Sequence, residues 1–311
     1  MRKLIISLLF AMWMHTAFSQ SISEYKRLVS AADSLYKLGS FKKSADTYSS
    51  AFRAIGWKGF IDDRYHAARA WAKANVADSA FYNLEKITSK GIFKDYARLS
   101  SDADLKSLHD DKRWALLLEK VKSSRDKSES ITQSPVYILL DSMERADEKW
   151  RSFLEQVAKS KQNAATADSL RRKIMVADSL NYFRLQEVFE KYGYPDYDLA
   201  GEKGSHNFWS LVQRQDKHPS FQESAVTQMK EKADKGKASI AEYAFLKDHV
   251  LVNAGKPQIY GTQLQLNGTG SSYEAKPVED IANLNERRKS VGLSTEEDYI
   301  KTMNMRYFRK Q

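Results

Sequence analysis

Not one of the 311 residues is cysteine. Disulfides, a thiol nucleophile, thiolate-bound zinc and a lipid-modified cysteine are therefore excluded. Proline is scarce, five in all, so few helix stops are imposed on the chain. The nucleophile elbow Gly-x-Ser-x-Gly is missing, and Gly201-Glu202-Lys203-Gly204-Ser205 lacks the Gly-Lys-Ser/Thr order of a phosphate loop. His66, His206 and His218 have no histidine or carboxylate four residues on, so neither a metal nor any other cofactor is expected. Runs of one charge longer than three residues are absent too. The formal net charge is +10, but acids interrupt the bases, as in Lys230-Glu231-Lys232-Ala233-Asp234-Lys235. That pattern describes a solvated mixed surface and no nucleic-acid partner.

Long hydrophobic runs are confined to the start. Arg2-Lys3 precede an apolar stretch over residues 4–14, and Ala17-Phe18-Ser19 places small residues where a signal peptidase cuts. Residues 1–19 are expected to be a signal peptide, because the stretch falls short of the roughly 20 residues that span a bilayer. No stable membrane span is expected after cleavage. The mature chain would reach the periplasm or extracellular space of a Gram-negative bacterium. Asn267-Gly268-Thr269 matches a glycosylation sequon, but reads more simply as an Asn-Gly turn.

What remains is rich in helical pattern. Two segments superimpose when shifted by 36 residues. Ala31-Ala32, Leu35, Gly39, Phe41, Ser44, Tyr48, Ala51 and Phe52 recur as Ala67-Ala68, Trp71, Asn75, Ala77, Ala80, Leu84, Ile87 and Thr88. Small residues stand where two helices cross closely, large ones fill the groove, and Gly39 and Asn75 occupy the turn, where positive φ is tolerated. The unit resembles the tetratricopeptide repeat, a helix–turn–helix of about 34 residues. Tyr96-Ala97-Arg98-Leu99, Leu105, Leu108 and Trp114 through Leu118 read as a third, degenerate unit with a closing helix. A repeat domain over 21–122, a polar linker over 123–134 and a second domain over 135–311 are expected. The repeat reads either as a concave face for a protein or peptide partner, or as a spacer or dock for the second domain.

The second domain reads as helices, with one hairpin near its end. Leu139-Leu140, Met143, Ala146 and Trp150 recur at helical spacing. A long helix is expected over 163–191, with Leu170, Ile174, Ala177, Leu180, Phe183, Leu185, Val188 and Phe189 as its core side. Gly193-Tyr194-Pro195 ends it. Further helices are expected from Phe208, over 221–235, over 240–252 and over 296–306. Between the last two, 258–266 and 271–278 alternate like strands around Asn267-Gly268. The fold class is therefore mainly α: a short helical solenoid, then a mostly helical domain with a small β-hairpin.

Asp147 lies four residues before Arg151, Gly193-Tyr194-Pro195 follows, and Trp209 leads through Gln213 to Asp216 and then Phe221-Gln222. Next come Leu246 with Asp248, Gly255 through Gln258-Ile259-Tyr260-Gly261-Thr262-Gln263, Pro277, and Arg287-Arg288 through Gly292-Leu293 to Tyr299. In this ordered set the chain resembles an uncharacterised bacterial family, domain of unknown function 6624, over about residues 136–302. It departs from that family at Arg214, where a histidine often stands, and at His249, where an arginine does. The resemblance implies a domain and no reaction.

Candidate ligand-binding residues are Asp147, Arg151, Gln213, Asp216, Asp248, Gln258, Tyr260, Gln263, Arg287 and Arg288. Two amides, a phenol and a hydroxyl around Gly261 would either meet a polar ligand or satisfy buried backbone. Two readings of function follow: an exported interaction protein working through its repeats, or a small-ligand-binding or hydrolytic enzyme with a polar site in the second domain.

Overall fold

The computed structural model describes residues 21–308, apart from Lys90 and residues 160–163. The expected signal peptide lies outside the described residues. The chain divides into two compact units, residues 1–129 and 130–311.

The N-terminal unit is a stack of paired helices. They are α1 (residues 21–37), α2 (Phe41–Ala54), α3 (Ile61–Lys73), α4 (Ala77–Thr88) and the short α5 (Tyr96–Ser101). A 3-10 turn, Ala103–Leu108, and α6 (Lys112–Thr132) complete the series. The 36-residue repeat survives in three dimensions. Ala32 and Ala68, Ser44 and Ala80, and Tyr48 and Leu84 are buried in pairs, while Gly39 and Asn75 both take positive φ, +73° and +56°. Asn75 tolerates that left-handed geometry better than most side chains do. The third unit is less regular than a helix pair, since α5 stops after six residues and the chain turns through 3-10 geometry. Asp102 makes that break by accepting from the Asp104 amide at 3.0 Å. Trp114, Leu117 and Val121 of α6 then cover the core.

The stretch over 123–134 is not an open linker. Helix α6 runs on to Thr132, because Arg125, Lys127 and Glu129 are good helix formers and no proline intervenes before Pro135.

The C-terminal unit holds α7 (Pro135–Lys159), α8 (Ala164–Tyr192), α9 (Tyr197–Gln213), α10 (Pro219–Asp234) and α11 (Ile240–Asn253). Strands β1 (Leu264–Leu266) and β2 (Tyr273–Ala275), α12 (Leu284–Ser290) and α13 (Glu296–Phe308) follow. Helix α7 packs on α8 and α9, and α10 packs on α11. Their shared core includes Leu140, Met143, Leu185, Tyr194, Phe208, Leu211, Met229 and Leu246. Helix α9 starts well before Phe208, because the Asp196 side chain caps it by accepting from the amides of Asp198 and Leu199. Gly201 kinks that helix at φ +68°, close against Ile131.

The hairpin is shorter than expected. The strands pair antiparallel, Leu264 with Ala275 and Leu266 with Tyr273, and residues 258–263 are loop, joined to 276–279 by the Lys276 amide donating to Gln263 O and by a bridge from Gln258 to Val278. The turn is not a two-residue Asn-Gly turn. Asn267 spans it by accepting from the amides of Ser271 and Ser272, and Gly270 supplies the positive φ. Along α8, Leu180 and Phe183 are exposed instead of lying in the core; the buried side is Leu170, Ile174, Asn181, Leu185 and Val188. No helix among the described residues is long and apolar enough to cross a membrane.

Candidate functional site

The residues singled out in the C-terminal unit fall into two clusters. The first surrounds Asp248, whose side chain is fully buried on α11. Its Oδ1 accepts from the amides of Ile259 (2.8 Å) and Tyr260 (3.0 Å). Its Oδ2 accepts from the Thr262 amide at 3.0 Å and the Thr262 hydroxyl at 2.9 Å. One carboxylate thus gathers three backbone N–H groups, which pulls 258–263 out of strand geometry into a tight loop. Gly261 takes φ +63° within it, and an added Cβ would lie 3.2 Å from Glu296 Oε1 and 3.4 Å from Leu284 Cδ2.

The loop carbonyls are also satisfied. Arg287 Nε donates to Ile259 O at 2.9 Å, and the buried Arg288 donates through Nη1 to the carbonyls of Tyr260 (2.6 Å) and Gly261 (3.1 Å). Tyr299 donates its hydroxyl to Thr262 O at 3.1 Å. Gln258 closes the loop, accepting from the Gln263 amide and donating to the carbonyls of Gln263 and Lys276. Gln263 sends its own amide to Phe245 O at 3.4 Å. Tyr260 lies edge-on to Tyr243, and burial pushes its phenol above the ordinary value. Burial also pulls Arg288 below the usual arginine value, against the charge of Glu296, and its guanidinium lies over the Tyr299 ring. Of the two readings of this segment, the geometry matches the satisfaction of buried backbone.

The second cluster joins α7, α8 and the end of α9. Asp147 is buried and accepts from Arg151 Nε at 2.8 Å and from Arg214. Arg151 reaches on to Asp178 of α8 at 2.7 Å, and Arg214 to Glu144 at 3.1 Å. A surface pair of this spacing is worth a few tenths of a kcal/mol. Here, however, the carboxylate is enclosed between two guanidinium groups and ties three helices together. Burial pushes Asp178 above the ordinary carboxylate value, against the pull of Arg151. Burial also lowers the basicity of Arg151, but Asp147 and Asp178 outweigh it and raise Arg151 above its ordinary value.

Beside this network lies a cavity of about 370 Å³. Leu154, Ile174 and Met175 form its apolar wall, and Arg151, Arg171, Arg214 and Lys217 bring cations to it. Asp178 and Asp216 face the same space, with His218 stacked on Tyr182 at the rim. Asp216 Oδ1 is held by His249 Nε2 (2.7 Å), Asn253 (2.8 Å) and the buried Gln222 (3.2 Å). Gln213 takes part through its carbonyl, which accepts from Gln222 at 3.4 Å. Among the described residues no three His, Cys, Asp or Glu side chains group as metal ligands.

Of the candidates, Arg151 and Asp216 therefore line the cavity, and Asp147 supports it from behind. Asp248, Gln258, Tyr260, Gln263, Arg287 and Arg288 form the separate loop scaffold and do not line it. The two clusters meet through α11, where Asp248 holds the loop and its neighbour His249 holds Asp216. Glu144, Asp178 and Gln222 were missed as site residues. Glu144 shares a face with Asp147 and Arg151 at helical spacing, which was the available signal. Asp178 sits in an Ala-Asp-Ser-Leu tetrad that looks like ordinary helix composition.

Residues 137–311 match a family of unknown function, DUF6624. The chain belongs to this family. The matched span contains both the loop scaffold and the cavity, so both are features of the DUF6624 domain. No curated protein and no solved structure matches the chain significantly.

Proposed function

We propose that the DUF6624 domain binds a small molecule carrying an anionic group on an apolar frame, in the cavity bounded by α7, α8 and the turn from α9 to α10. The lining carries this reading: an apolar wall of Leu154, Ile174 and Met175 is bordered by Arg151, Arg171, Arg214 and Lys217. Arg151 and Arg214 are already oriented by Asp147, Glu144 and Asp178, which reduces the ordering cost of binding. The volume falls in the range of small-molecule sites, roughly 300–1,000 Å³. Hydrolysis is the weaker alternative for the same place. Asp216 orients His249 as a base would be oriented, but His249 does not itself line the cavity.

Met175 is half exposed on the cavity wall, so Met175→Trp should fill the space without unfolding the domain. Thermal unfolding would be followed with a panel of organic carboxylates and phosphate esters of fitting size. A ligand present at one hundred times its Kd is expected to stabilise the parent by about 2.7 kcal/mol, and the filled variant much less. If every compound shifts both proteins equally, the cavity is not the site.

A second reading concerns the N-terminal unit, which resembles tetratricopeptide pairs and would bind a protein partner of an exported chain. Trp57, Phe60 and Tyr82 support it, as large apolar residues exposed around the turn from α2 to α3 and on α4. Recovery of a partner from envelope extracts should fall when Trp57 and Phe60 are both changed to Ala. Equal recovery would remove the reading.

A further inference from the structure

Periodicity placed Leu180 and Phe183 in the core, and the fold places them in solvent. Val176, Leu180 and Phe183 are 58%, 55% and 62% exposed on α8. Their spacing of four and then three residues forms one stripe, on the side of the helix opposite Ile174, Asn181, Leu185 and Val188. Three large apolar side chains in a row on an exposed helix face call for an explanation that a single exposed leucine does not.

The charges beyond the stripe show what fits it. Arg172 and Lys173 flank it toward the N-terminus, and Glu187 and Glu190 toward the C-terminus, where exposed Arg184 and Lys191 stand beside the two acids. Arg172, Lys173, Glu187 and Glu190 are exposed as well. Lys173 lies over the Trp150 ring, whereas Arg172, Glu187 and Glu190 make no ion pair or hydrogen bond among the described residues. The pattern is self-complementary in one orientation only. If a second α8 lies antiparallel, with the two-fold axis near Leu180, then Leu180 meets Leu180, Val176 meets Phe183, and the basic end of each helix meets the acidic end of the other. A parallel pair would set like charges side by side.

We propose that this face of α8 docks on the same face of a second copy of the chain, forming an antiparallel two-fold dimer. Each copy then supplies the patch the other covers, as a two-fold interface requires. Three apolar side chains and two charge clusters make an interface smaller than the roughly 1,600 Å² of a standard stable complex. The association is accordingly weak, in the micromolar to submillimolar range.

Sedimentation equilibrium of the purified chain at low ionic strength tests this. A reversible monomer–dimer equilibrium is expected, weakened by salt because the end pairs are exposed. Phe183→Asp should weaken it about tenfold or more by placing a charge in the apolar part of the interface, beside Leu180. Arg172→Glu and Glu187→Arg should each weaken it several-fold, since either substitution sets like charges together at both ends. An equimolar mixture of those two variants should regain the parent's affinity, because each supplies the charge the other needs. That recovery also establishes that both variants are folded. A chain monomeric at every concentration, a dimer indifferent to Phe183→Asp, or a mixture as weak as its components would each overturn the proposal.

Discussion

Asp248→Ala is expected to destabilise the C-terminal unit by about 4 kcal/mol, the largest effect of any single substitution considered. The carboxylate is fully buried and accepts from the amides of Ile259, Tyr260 and Thr262 and from the Thr262 hydroxyl. Alanine leaves four donors without the acceptor that gathers them. Each such loss costs about 1–3 kcal/mol, and the losses do not add fully because the loop relaxes. Asp248→Asn keeps one acceptor oxygen but turns an NH₂ toward the same donors, so about half the effect is expected. Urea unfolding followed by circular dichroism measures both. A loss below about 1 kcal/mol for Asp248→Ala would mean that the loop does not depend on this carboxylate.

The second large effect is expected at Arg288. Methionine matches the length of the arginine stem but removes the donors to the carbonyls of Tyr260, Gly261 and Ser294. The cation over the Tyr299 ring is lost with them. Arg288→Met should cost about 3 kcal/mol, while Arg287→Met, at a position in partial contact with solvent, should cost about 1 kcal/mol. The contrast matters more than either value. If the two arginines were held ready for an anion, neither substitution would change stability in the absence of ligand. Unfolding midpoints near that of the parent for both variants would return these residues to a binding role.

Helix content and pairing were legible because the period of apolar residues reports directly on buried faces. The repeat was legible for the same reason, down to positive φ at Gly39 and Asn75. The 258–263 segment was not legible as a loop. Its alternation looks like a strand, and only the distant Asp248, ten residues upstream on α11, draws its amides inward. Leu180 and Phe183 fail for a different reason. On a long helix that is apolar on two sides, composition marks both sides and cannot tell which one the fold covers. The cavity assembles Arg151, Asp178, Arg214 and Asp216 from two helices and the turn after α9, and no local spacing encodes that convergence. That 123–132 would be helical was not legible, because polar composition describes an exposed helix as well as an open chain.

The central claim is that 258–263 is a scaffold fixed by Asp248 and Arg288, and that the ligand site lies at the separate cavity. Native-state hydrogen exchange at the amides of Ile259, Tyr260 and Thr262 tests its first half most directly. These amides should exchange only through opening of the whole C-terminal unit, as slowly as core amides of α11, and a cavity ligand should slow them by the same factor as it slows those core amides. Exchange as fast as that of the exposed Gly268–Thr269 turn, or protection appearing only when ligand is added, would contradict the account.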